Sequence, residues 1–191
     1  MLVIALIVLA AMTLAAAAMV RTIDTSTMLA RNISFKRDAL NRNDVALEVA
    51  INEFRAGGSF ALGANTLASD ATKNFSAVML ATDMDGVPLV LKADTSSNIF
   101  TGGGLGSVEP ASLASFHLGM TPVYLIERMC TTTGAALPET CILNGRAQAG
   151  GTQPNDKPGQ LFPPMFRITA RVTGPRRTVS YVQAIFSFTN T

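Results

Sequence analysis

From Met1 through Ala56 the chain contains neither glycine nor proline. Nothing in its backbone chemistry interrupts a helix before Gly57-Gly58. An unbroken helix over those residues would run about 84 Å, far beyond the roughly 30 Å hydrocarbon core of a bilayer. Met1–Val20 holds one polar residue, Thr13, and no charge. Leu2, Ile4, Leu6, Leu9, Leu14 and Val20 spread around such a helix, so no polar stripe keeps it flat on a membrane surface. A membrane-spanning half, 1–20, is expected. A cleaved secretory signal is the alternative, because Ala15–Ala18 offers the small residues of a cleavage site. It lacks the basic residues that precede a signal's apolar core, and the apolar run is longer than a signal needs.

Past Val20 the pattern turns amphipathic. Ile33, Leu40, Leu47 and Phe54 recur every seven residues, and Ala50 and Ile51 widen the stripe. Arg31, Lys36, Arg37, Asp38, Arg42, Asp44, Glu48, Glu53 and Arg55 fill the other faces. Asp38 and Arg42 stand at i,i+4 with the acid first, the favourable order for a helical pair. The spacing predicts that 21–56 is the second half of the same helix. Its stripe of Ile33, Leu40, Leu47, Ile51 and Phe54 is expected to pack on the domain formed by 57–191. A coiled-coil seam with another chain is the rival use of that stripe.

The C-terminal domain reads as β-rich. Ser76–Thr82 and Val87–Ala93 are apolar runs around Asp83-Met84-Asp85-Gly86, which predicts a hairpin with Pro88 on an edge strand. Pro122–Met129 places Val123, Leu125 and Met129 on one face and Tyr124, Ile126 and Arg128 on the other. Phe166–Val172 alternates in the same way, a turn follows at Thr173–Arg176, and Thr178–Phe188 returns as a strand. Thr178, Val182, Ala184, Phe186 and Phe188 are candidates for one face of it. Ala111–Leu118 is a candidate short helix, Gly145–Pro164 a surface loop, and the glycines at 102–104 and 106 another. The fold class is α+β, with an antiparallel sheet laid on the second half of the long helix.

Chemistry is sparse. The net charge is +2 and no basic run exceeds two residues, Lys36-Arg37 and Arg176-Arg177, which excludes a nucleic-acid footprint. His117 is the one histidine, set among apolar neighbours, where a packed or surface role is the default. No nucleophile elbow, zinc-protease or phosphate-loop pattern occurs, so no catalytic centre, cofactor or small-molecule substrate is expected. Asp83, Asp85 and Gly86 resemble the start of a calcium loop without the acid that would close it, and a hairpin turn explains them as well.

Cys130 and Cys141 stand eleven positions apart with no CxxC spacing and no histidine cluster, which argues against zinc. A disulfide is expected, with two buried thiols as the alternative, and a disulfide implies an oxidising compartment. Orientation conflicts with this at first sight. Arg21, Arg31, Lys36 and Arg37 follow the apolar run and nothing basic precedes it, so the positive-inside rule would leave the domain in the cytoplasm. The conflict disappears if a short basic leader has been removed, leaving Met1 near a processed end.

An apolar start running into one helix of fifty-odd residues and a small β-rich domain resembles the layout of type IV pilins and type II secretion pseudopilins. "RTIDTSTMLARNISFKRDALNRNDVALEVA" (Arg21–Ala50) is similar to the N-terminal region of the PilX minor pilins. "YLIERMC" (Tyr124–Cys130) and "MFRITARVTGPRRTVSYVQAIF" (Met165–Phe186) resemble that family's first-cysteine segment and C-terminal region. The resemblance implies a pilin-like fold and a structural role in the complex that primes a type IV pilus. Its partners would be other minor pilins, the major pilin and a tip adhesin. The location implied is a single pass of the inner membrane with a periplasmic domain, then the pilus tip at the cell surface. One departure matters: most pilins carry a glutamate a few residues into the mature helix, whereas Ala5 and its neighbours are apolar and the first acid is Asp24. In the family that acid meets the N-terminal ammonium of the preceding subunit, so its absence suits a subunit at the tip. A tip pseudopilin of type II secretion also fits that absence. An anchored periplasmic ligand-binding domain is the alternative from another class.

Overall fold

The computed structural model describes residues 2–92, 119–144, 163–175 and 178–188. His117, the segments 102–106 and 111–118, most of 145–164 and the Arg176-Arg177 pair lie outside them.

Helix α1, Leu2–Asn52, is continuous. The chain divides into two compact units, Met1–Ala39 and Leu40–Thr191, so the division falls inside the amphipathic stretch rather than at its end. From Leu2 through Ile33 the apolar residues are solvent-exposed on every side of the helix, and burial begins only with Phe35 and Ala39. Thr13, the polar residue of the apolar stretch, donates its hydroxyl to Ala10 O at 2.9 Å. Thr22 and Ser26 likewise bond to Ala18 O and Thr22 O at 2.9 and 2.7 Å. Internal bonding of this kind removes the cost of a bare hydroxyl in an apolar medium.

In the second unit α1 ends where glycine permits it. Gly57 takes φ +89°, and a Cβ on Gly58 would lie 2.4 Å from Glu53 O. The chain therefore doubles back tightly enough for Phe60 N to donate to Glu53 O at 2.8 Å. Two 3-10 turns, Gly63–Thr66 and Ala71–Lys73, lead to β1, Phe75–Ser76. After it come α2 (Leu89–Lys92), β2 (Thr121–Arg128), β3 (Met165–Thr173) and β4 (Val179–Ser187).

The sheet runs β1-β2-β3-β4. β2–β3 and β3–β4 are antiparallel, with Ile126 opposite Ile168 and Ile168 opposite Ala184. β1 joins β2 in parallel, Phe75 opposite Ile126. The sheet is thus mixed, a correction to the wholly antiparallel one expected. The α+β arrangement of a long N-terminal helix and a small sheet stands as a pilin-like fold.

Both faces of β2 are buried. On one, Tyr124, Ile126, Phe166 and Ile168 close a core with Ala50, Phe54, Phe60, Phe75 and Ala77. On the other, Val123 and Leu125 pack with Val87 and Leu91, and Leu80 and Tyr181 border them. The expected hairpin over 76–93 is corrected accordingly. Only Thr82 and Pro88 form a bridge, and the chain then turns into α2 and crosses the outer face of the sheet. Pro88 directly precedes α2, where a fixed φ near the start of a helix is favourable.

Candidate functional site

The candidate site is a surface, the apolar half of α1. Leu2, Ile4, Leu6, Leu9, Leu14 and Val20 are all exposed, so this stretch offers lipid or another helix an apolar cylinder whose one polar side chain, Thr13, is bonded to its own helix. One long apolar helix near the N-terminus is compatible with a single-pass membrane anchor.

The packed stripe lies elsewhere on the helix than the heptad predicts. Phe54 belongs to the core, and Leu47 and Ile51 pack against it. Ile33 and Leu40 are instead 45 % and 48 % exposed, a correction to the expected stripe. The side turned to the sheet carries Asn43, Ala46 and Ala50, each with no exposed surface. Ala50 joins the core with Phe54 and the rings of the sheet, so a large side chain there would have no room. Asn43 donates its amide to Ser180 Oγ at 3.2 Å, tying the helix to β4. The spacing i, i+3, i+7 of Asn43, Ala46 and Ala50 is the signal that marks this side; counting only large apolar residues passes over it.

No family model matches the chain, and no curated protein or solved structure matches it.

Cys130 and Cys141 form a disulfide and a local antiparallel bridge. Cys130 is fully buried at the end of β2. Between them the loop is pinned by Thr131 N to Thr140 O at 2.7 Å and by Gly134 N to Leu67 O at 2.9 Å. Closing a loop of this length contributes about 3 kcal/mol by restricting the unfolded chain. A Cys130→Ser/Cys141→Ser chain should therefore melt roughly 6–12 °C below the wild type, and reductant should lower the wild type alone. Equal melting temperatures by circular dichroism would mean that the disulfide does not stabilise the fold.

Arg128, Glu127 and Arg167 lie at this end of the sheet. Arg128 is fully buried and donates Nε to Ala77 O at 3.2 Å and Nη2 to Thr132 O at 3.2 Å; burial pulls its pKa down. Glu127, also fully buried, accepts Leu80 N at 2.9 Å and both a 2.9 Å and a 3.0 Å bond from the Arg167 fork. Burial pushes the Glu127 carboxyl up, partly offset by Leu80 N–H and Arg167. At the end of α1, partial burial also works to raise Glu53, but bonds from Ser59 and Lys73 outweigh it and hold the carboxyl below its ordinary value. Lys73 Nζ reaches Glu53 at 3.0 Å. Desolvation, with the Glu53 charge, pushes Tyr124 up to about 12.

At the Asp83–Gly86 turn, Asp83 Oδ1 accepts from Asp85 N at 3.0 Å and Val87 N at 2.8 Å. The Lys92 ammonium pairs with Asp83 and stands 3.9 Å from Asp85. A lysine therefore already neutralises the carboxylates that resemble a calcium loop. Among the described residues no group of three or more His, Cys, Asp or Glu could hold a metal.

Proposed function

We propose that the chain is a minor pilin of a type IV pilus, a structural subunit of the complex that primes assembly and caps the filament. The observation that carries this reading is α1: one unbroken helix, exposed and apolar over its first turns, that ends as the packed helix of a disulfide-bonded α+β unit. Residues of the apolar half would hold the subunit in the inner membrane and later pack against other pilin helices. Exchanging lipid for helix contacts costs an all-apolar helix little. The disulfide favours a periplasmic domain over a cytoplasmic one.

The apolar stretch 2–20 carries no acid, which favours the tip. A carboxylate buried among packed helices is tolerable only when paired, and a subunit lacking it has no need of a preceding ammonium. Other minor pilins, the major pilin and a tip adhesin are its partners in this reading. Deleting the gene should abolish surface pili and leave enzyme secretion intact. Normal pili with blocked secretion would instead identify a type II secretion pseudopilin. Immunogold label should fall at filament ends; even labelling along the shaft would sink the tip assignment.

A further inference from the structure

Arg128 is a fully buried cation held by two backbone carbonyls, its Nε donating to Ala77 O and its Nη2 to Thr132 O, both at 3.2 Å. Its neighbour Glu127 points to the opposite face of β2, where Leu80 N and the Arg167 fork engage it. A guanidinium stays out of water only while its donors are engaged. Both acceptors of Arg128 are tied to the cystine. Thr132 is the second residue of the loop that the Cys130–Cys141 bond closes. Ala77 lies two residues before Met79, whose N–H donates to Cys130 O at 2.8 Å.

We propose that this disulfide is a redox-sensitive switch for Arg128: closing it buries the guanidinium, and opening it releases the guanidinium to solvent. On closure the two thiols form one S–S bond and pass two electrons and two protons to a disulfide oxidant, which becomes a dithiol. A dithiol reductant runs the step backwards. Cys130 is fully buried, so sulfurs that are no longer bonded separate by moving the chain ends that carry them. Thr132 O then leaves Nη2, and a buried donor without its acceptor costs more than the same donor in water. The long side chain carries its head outward while its stem stays packed. The helix-side core of Phe54, Phe75, Phe166 and Ile168 holds neither cysteine nor Arg128, and it stays closed. The switch is independent of the pilin reading, because it rests only on contacts within the second unit.

The test is phenylglyoxal, which modifies solvent-exposed arginines, applied to the full chain in detergent micelles and read by peptide mass spectrometry. In the oxidised chain Arg128 should react about tenfold or more slower than the exposed Arg37. Dithiothreitol should raise the Arg128 rate by about tenfold, and Cys130→Ser/Cys141→Ser should match the reduced chain with no reductant present. Arg167, held by Glu127, reports whether the sheet survives, and its rate should stay at the oxidised value. Hydrogen exchange of the β2–β3 amides checks the same point and should also be unchanged. An Arg128 rate equally slow in both redox states would overturn the switch. Equal acceleration of Arg128 and Arg167 would overturn it as well, since loss of the disulfide would then open the whole unit rather than release one side chain.

Discussion

Replacing Phe54 with alanine is expected to cost about 3–5 kcal/mol and to lower the melting temperature by roughly 6–20 °C. Phe54 is the junction of the larger core. Its ring lies 4.9 Å from that of Phe166, 5.0 Å from Phe186, 5.4 Å from Phe60 and 5.7 Å from Phe188. Phe166 stands on β3, Phe186 on β4 with Phe188 just past its end, and Phe60 on the turn after α1. Truncation thus removes contacts to three separate segments at once, and the rings around the void cannot all move inward. Phe54→Leu should cost less than half as much, because it refills part of the volume. The chain has no tryptophan, so circular dichroism of the full chain in micelles is the measurement. A loss below about 1 kcal/mol for Phe54→Ala would mean that the helix end does not anchor the sheet.

The elements legible in the sequence are those whose signal is local. β2, β3 and β4 fall within a residue or two of the expected 122–129, 166–172 and 178–188, because alternation over eight or nine residues survives whatever packs on it. Phe186 and Phe188, expected on one face of β4, pack against the helix-side core. The end of α1 was legible for a similar reason: Gly57 and Gly58 supply a backbone path that other residues resist. The candidate site was legible only in part. Ile33 and Leu40 fit a heptad as well as Leu47 does, and periodicity alone cannot tell which side of a helix a sheet will approach. That side was decided by Asn43, Ala46 and Ala50, whose fit depends on the pair of surfaces and not on the helix alone. Val87–Lys92 failed as a strand because a short apolar run is equally consistent with a helical turn. The ion pair of Glu127 with Arg167, forty residues apart, has no local trace at all.

That pair yields the second large effect. Arg167→Met should cost about 3–5 kcal/mol at neutral pH, because it leaves the fully buried Glu127 carboxylate without its counter-charge. The deficit should shrink as the pH falls. Burial already raises the folded pKa of Glu127 above its ordinary value of 4.5, and loss of Arg167 raises it further. A group with a raised folded pKa contributes most below its unfolded pKa, and the contribution is lost as pH rises through the folded value. The variant's carboxyl can therefore take up a proton in mild acid and shed its uncompensated charge, whereas the wild type gains less from the same proton. Glu53 works in the opposite sense. Its lowered pKa gives stability above 4.5 that fades only below that value, so it does not obscure the window above 4.5. Glu127→Gln separates charge from shape: it keeps an acceptor for Leu80 N, should cost less than Arg167→Met, and should flatten the pH dependence between about pH 5 and 7. Melting curves of the three chains at both ends of that window decide the matter. A gap between wild type and Arg167→Met that is the same at both would mean that Glu127 does not carry the buried charge on which the β2–β3 contact depends.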